Sequence, residues 1–315
     1  MTEIGRRRLG VGGPEVSEVA LGSWRTFERV PHEQGVAVLR RARELGIDFL
    51  DDARYDDETG SAPIPSGYSE VLFGEHFRAA GFRREETVVS EKLWWEFWPT
   101  QSAAQELDAS LERLRFDYVD LIYAVALPAG LDVETAVAEV AGLLRSGKAR
   151  HWGVAMWRAA DIEAACAAAD AQGIERPCAA QMAYSFAERQ TAASPEMLAA
   201  LSECGVGLVA SAPLAGGVLT GKYTGDPSGG RHAGELERPE IQDALRAGRA
   251  LQDLAAEWDT SAAALAIAFA LDHPNVSAAL LGASSPDQLE AAAAGAALRA
   301  RLSDEQRARL REWQS

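Results

Sequence analysis

The stretch Glu33–Ala53, EQGVAVLRRARELGIDFLDDA, contains the repeating unit from which the fold follows. In its first part Val36, Leu39, Ala42 and Leu45 recur at helical spacing, and Gly46 supplies a C-terminal stop, so Glu33–Gly46 reads as an amphipathic helix. Asp48–Ala53 then gives a short apolar strand that ends on two acids. Working outward, the same alternation of helix and strand continues along the chain. Asp132–Gly147 repeats the helix pattern, again closing on a glycine. Strand-like runs fall at Val19–Trp24, Asp48–Ala53, Thr87–Leu93, Tyr118–Val125, Ala149–Met156, Ala179–Ser185, Val206–Pro213 and Val276–Ala283. They are too apolar for a sheet with one wet face, whereas strands covered on both sides read this way. Eight strands with crossover helices predict an α/β fold, a (β/α)₈ TIM barrel forming one domain over residues 1–315.

The chain's 315 residues suit one large core, and its formal net charge of -16 disfavours nucleic acid and anionic membrane surfaces as partners. Cys166, Cys178 and Cys204 lack CxxC spacing and read as reduced thiols of a cytoplasmic protein. Arg6-Arg7-Arg8 is followed by no apolar run, so no secretory signal is expected, and no segment is long enough to span a bilayer. Nothing in the sequence fixes an oligomeric state. Alanine, arginine and glycine usage suggests a GC-rich bacterial genome and a role in specialised metabolism.

Two segments break the alternation. Asp56–Gly67 and Thr224–Glu240 combine glycine, proline and charge without periodicity, and each follows the C-terminal end of a strand. In a barrel that end is where sites are built, so both are candidate lids or cofactor clasps, with surface loops as the alternative. The same logic makes the strand-end residues Trp24, Asp51, Lys92, Val125, Met156, Gln181, Ser211 and Gly282 candidates for the chemistry.

Matched in order, these ends resemble the aldo-keto reductases over nearly the whole chain. Leu21-Gly22-Ser23-Trp24 is similar to the family's Leu-Gly-x-Gly-Thr-Trp, and Ile47-Asp48-Phe49-Leu50-Asp51-Asp52-Ala53 to its Ile-Asn-Phe-Phe-Asp-Thr-Ala. Pro213-Leu214-Ala215-Gly216-Gly217-Val218-Leu219-Thr220-Gly221-Lys222 resembles its seventh loop, and Gly282-Ala283-Ser284-Ser285-Pro286-Asp287-Gln288-Leu289-Glu290 the start of its phosphate-site helix. The resemblance implies NADP(H)-dependent reduction of an aldehyde or ketone. It assigns the buried carboxylate to Asp51 and the lysine to Lys92, which would lower the pKa of a proton-donating tyrosine. The family's tyrosine position falls on Asp56; Tyr55, one residue earlier, is the expected donor if the inserted loop shifts the backbone, with Tyr68 as runner-up. A structural ion pair is the bland reading of Asp51 and Lys92.

Several departures accompany the match. The family's histidine falls on Val125, its carboxamide-binding Ser-Asn on Ala155-Met156, its ring-stacking aromatic on Ser211 and its late asparagine on Ala292. Gln181 survives among the carboxamide ligands. Gln181, Ser211, Leu214, Gly216, Gly282, Ser284 and Gln288 are therefore the expected cofactor contacts, and NADP(H) is expected to bind weakly.

Trp24, Trp94, Trp95, Val125 and Met156 would line a flat apolar pocket for a hydrophobic or aromatic small molecule, or, for the tryptophans, plug the barrel top. No metal is expected, since the acids after Asp51 match no ligand spacing. Two alternatives stay open: redox-neutral proton transfer by Tyr55 and Lys92, as a cyclase, isomerase or lyase, and noncatalytic binding on a retained scaffold.

Overall fold

The structure is a computed structural model that describes residues 4–224, 232 and 234–313. An antiparallel hairpin of β1 (Arg6–Arg8) and β2 (Glu15–Ser17) comes first. Eight parallel strands then close a barrel in chain order: β3 (Val19–Gly22), β4 (Phe49–Asp51), β5 (Val88–Leu93), β6 (Val119–Val125), β7 (Ala149–Ala155), β8 (Ala179–Ala183), β9 (Gly207–Ser211) and β10 (Val276–Gly282). The last strand pairs with the first, Ala279 opposite Val19. Around the barrel run α1 (His32–Glu44), α2 (Tyr68–Ala79), α3 (Ala103–Leu114), α4 (Val133–Ser146), α5 (Ala159–Gln172), α6 (Pro195–Cys204), α7 (Pro239–Glu257), α8 (Ala262–Asp272), α9 (Pro286–Arg299) and α10 (Asp304–Glu312). The expected TIM barrel is thus present, each expected strand overlapping an observed one.

Alternation along the strands builds two packed layers. Phe49, Leu121, Tyr123, Val125, Val209 and Leu280 fill the barrel interior, while Leu50, Val89, Ile122 and Val154 face the helices. Local signals set the helix ends. Asp132 caps α4 by accepting the Thr135 N–H at 2.7 Å, and Gly147 closes it at φ 73°. No single helix among the described residues is long and apolar enough to cross a membrane. Of the loop expected at Thr224–Glu240, residues 225–231 and 233 lie outside the described residues, and Pro239 already opens α7.

The hairpin is absent from the sequence reading. Arg6-Arg7-Arg8 looks like exposed charge, but the Arg7 guanidinium donates to Val276 O at 2.6 Å and Leu271 O at 2.9 Å and pairs with Glu18 at 3.1 Å. Gly10, at φ 58°, lies so close to the starts of β8 and β9 that a Cβ there would sit 2.4 Å from Cys178 O and Gly205 O. The hairpin thereby plugs the N-terminal end of the barrel with Leu9 and Val16, leaving the C-terminal end as the open mouth.

One buried histidine links α1 to α2. His76 Nε2 lies 3.0 Å from His32 Nδ1, and its ring meets Phe27 edge-on at 5.1 Å. Burial, assisted by the positive potential of His32, pushes His76 down to about 4 from the ordinary 6.5. Between these values the unfolded chain binds a proton that the native one does not, so stability is full above about 6.5 and falls as pH drops toward about 4. Urea midpoints measured across this window should fall more steeply for the wild type than for His76→Gln. Parallel curves would show that His76 does not carry this dependence.

Candidate active site

Asp51 and Lys92 end neighbouring strands with their side chains turned into the barrel. Lys92 Nζ donates to Asp51 Oδ2 at 2.7 Å, Asp52 O at 3.3 Å and Tyr55 Oη at 3.4 Å. Ser90, opposite Asp51 in the β4–β5 register, donates its hydroxyl to Asp51 Oδ1 at 2.7 Å. Asp51 and Lys92 are both buried, so each charge depends on the other, because an unpaired ion at this depth would pay a large desolvation penalty. Burial works against the Lys92 ammonium, but Asp51, by its charge and its hydrogen bond, outweighs it and holds the group above its ordinary value.

Lys92 lowers the Tyr55 pKa as expected, but other groups outweigh it. Burial pushes the phenol up, Lys92 pulls it back, and Asp51, Asp52 and Glu91 add to the upward push; the net shift is upward. A neutral phenol thus faces an ammonium.

The structure brings Tyr55, not Tyr68, to Lys92. Asp56 pairs with Ser66 in an isolated antiparallel bridge, and Gly67 N–H donates to Tyr55 O at 2.8 Å. The inserted loop therefore closes on itself starting at Asp56, which stays exposed, while Tyr55 turns inward between Trp24 and Trp94 at ring distances of 6.5 and 6.0 Å. Tyr68 opens α2 and packs on the helix-layer core. Sequence reading missed what fixes the loop. Glu58 pairs with Arg25 at 2.6 Å and Arg29 at 2.9 Å, and Arg54 bonds Ser66 and Glu96. It is anchored on both sides of the mouth. Tyr123 was missed too: it lies opposite Lys92 in the β5–β6 register, and its buried hydroxyl has no partner among the described residues.

The other expected residues divide. Trp24 at 44%, Phe97 at 53% and Met156 at 59% exposure form an apolar rim on the mouth. Val125 and half-buried Trp94 pack with the interior cluster. Trp95 is a correction: it is 2% exposed, its ring meets Trp98 edge-on in the outer core, and its backbone N–H donates to Glu106, so it is a packing residue and does not line the mouth. At the β8 end Gln181, 8% exposed, has an amide oxygen without a partner. Ser211 and Leu214 are half-buried at the β9 end, and Gly216 and Gly217 take left-handed conformations that only glycine adopts freely. Gly282 is exposed at the end of β10. Just beyond it Ser284 N–H donates to Gln288 Oε1 at 2.8 Å at the N-terminus of α9, where Ser285 makes no side-chain cap.

A model of the aldo/keto reductase family matches residues 18–314. The chain belongs to the aldo/keto reductase family. It is similar to proteins named probable voltage-gated potassium channel subunit beta. The one from Oryza sativa subsp. japonica is 33% identical over 298 residues, covering 90% of this chain and 88% of the relative. The one from Arabidopsis thaliana is 31% identical over 299 residues, with the same coverage of 90% and 88%. As a family member the protein is an oxidoreductase of the kind that acts on carbonyl and CH–OH groups with NAD(P)H. Val125, Ala155 and Ala292 are buried, and their side chains offer no hydrogen bond.

Met156 also carries strain. It holds φ 61°, a left-handed conformation that asparagine tolerates and an unbranched apolar residue does not favour. Met156→Asn is expected to stabilise the fold by about 1 kcal/mol, read as a rise in the urea midpoint at unchanged slope. A midpoint that stays put or falls would show that Met156 packing outweighs the strain.

Proposed function

We propose that this aldo/keto reductase is an NADP(H)-dependent reductase of an aldehyde or ketone on a hydrophobic or aromatic small molecule. Tyr55 is its proton donor. The observation that carries the reading is the chain of contacts from Asp51 through Lys92 to the Tyr55 hydroxyl, at 2.7 and 3.4 Å, at the mouth of the barrel. Three cysteines that stand free support a cytoplasmic setting.

The residues present fit the cofactor unevenly. The unpartnered Gln181 oxygen suits the amide N–H of a carboxamide, and the N-terminus of α9, beside the Ser284 hydroxyl, suits a phosphate. Ala155 and Met156 supply no further donor to the carboxamide, which supports weaker binding than a full ligand set would give. When bound, NADP(H) supplies the hydride. Lys92 holds the Tyr55 phenol in place and stabilises the phenolate left once its proton has gone to the developing alkoxide. Asp51 keeps Lys92 in position. Trp24, Trp94 and Met156 present apolar surface to the substrate, and Val125 leaves Tyr55 as the hydrogen-bond donor to its carbonyl.

The missing donors at Val125, Ala155 and Met156 also favour a second reading, in which Tyr55 and Lys92 move a proton without net redox. Titration of tryptophan fluorescence with NADPH and NADH separates the two. Micromolar binding of NADPH, with slow reduction of aromatic aldehydes that Lys92→Met abolishes and Tyr55→Phe lowers by about 10²–10⁴-fold, is the expected outcome. An absence of saturation at millimolar cofactor would overturn the reductase reading in favour of the second.

A further inference from the structure

Behind the strands that carry Asp51 and Lys92 stands another pair of acids. Side chains alternate across a strand, so the residues next in sequence, Asp52 and Glu91, turn away from the barrel interior toward α2 and α3. Both are fully buried. They share one level of the wall, since Asp51 is opposite Ser90 and the Asp52 N–H donates to Ser90 O at 3.1 Å.

The surrounding groups do not neutralise them. From α2 comes a third carboxyl, Glu70, and from α3 the guanidinium of Arg113, whose fork is taken up by Glu70. Glu106 of α3 accepts the N–H groups of Trp94 and Trp95 at 2.7 and 3.2 Å. Arg54, following β4, pairs with Glu96, and the Lys92 ammonium points into the barrel against Asp51. Asp52 Oδ1 receives the Ser23 hydroxyl, and Glu91 Oε1 the Lys92 N–H at 3.0 Å. Asp52 Oδ2 and Glu91 Oε2 are left buried with no protein partner. Two ionised carboxylates so placed would each keep one oxygen without a donor and would repel the other.

We propose that Asp52 and Glu91 hold at least one proton between them at neutral pH, and that this shared proton keeps Lys92 seated between Asp51 and Tyr55. The link to Lys92 is direct, because the Asp52 carbonyl accepts from its ammonium and the Glu91 carboxyl accepts from its backbone N–H. Asp52 and Glu91 are positioning residues. Burial, reinforced by the charge of Glu70, holds both well above the ordinary carboxylate range. The sign follows: the native state keeps protons that the unfolded chain releases, so the stabilisation is complete at acid pH and is lost as pH rises through the native values.

The protonation rests on the geometry alone, and the positioning role on the functional reading above. Infrared spectra of the full chain at neutral pH should show the C=O stretch of a protonated carboxyl, lost or reduced in Asp52→Asn and in Glu91→Gln. Raising the pH should bleach this band, and near-ultraviolet circular dichroism of the Trp24–Tyr55–Trp94 cluster should change with the same midpoint. In either variant that dichroism midpoint should move up by at least about one pH unit. A spectrum without the band, or a band that neither variant alters, overturns the protonation; a band that bleaches while the aromatic signal stays constant overturns the positioning. If neither variant folds, the wild-type titration alone decides. None of these readouts needs turnover, so a failure to reduce carbonyls would leave them standing.

Discussion

A lysine ammonium inside a barrel survives only where a carboxylate meets it. The pairing of Lys92 with Asp51 at 2.7 Å satisfies that condition and fixes much of what surrounds it. It requires β4 and β5 to be neighbours in register and Ser90 to complete the hydrogen bonding of Asp51. The Tyr55 hydroxyl is then left facing a cation. Closure of eight parallel strands brings every C-terminal end to the same mouth, which is why residues from the ends of β3 to β10 can address one substrate.

The site is asymmetric. Around the dyad Asp51, Ser90 and Lys92 meet one another's polar groups, and the loop of residues 56–67 is pinned by Glu58 and Arg54 so that Tyr55, and not Asp56, faces inward. On the proposed cofactor side, Ala155 and Met156 present a methyl group and a thioether. Met156 retains a left-handed backbone suited to asparagine while its side chain stands at the rim. The wall between β4, β5 and the helices carries more buried acid than the scaffold needs, and that surplus lies directly behind the lysine.

The barrel was legible because parallel strands buried on both faces leave long apolar runs, and because Gly46 and Gly147 mark helix ends in a way few residues can. Asp51 and Lys92 were legible by their place at strand ends. Tyr55 was readable only as one of two tyrosines, since the choice depends on where the inserted loop folds back, and that is settled by the Asp56–Ser66 bridge. The hairpin escaped notice because its strands are three residues long and its arginines resemble solvated charge, although Arg7 is bound to carbonyls more than two hundred residues away. Trp95 illustrates a different limit. Adjacent tryptophans in sequence point to opposite sides of a turn, and composition cannot say which one packs. The direction of the Tyr55 shift was also out of reach, because it depends on burial and on acids that sequence does not place.

The seam between β10 and β3 has a consequence for how the chain acquires its shape. The strand that completes the ring is the last of the eight, and its partners, β3 and the Arg7 hairpin, precede all the others. A nascent chain leaving the ribosome can assemble most of the wall but cannot close it until β10 has emerged. Until then β3 and β9 present open edges and the interior is accessible to water. Contacts this distant in sequence are slow to form, so the interval before closure is when the chain is most exposed to aggregation and most dependent on chaperones.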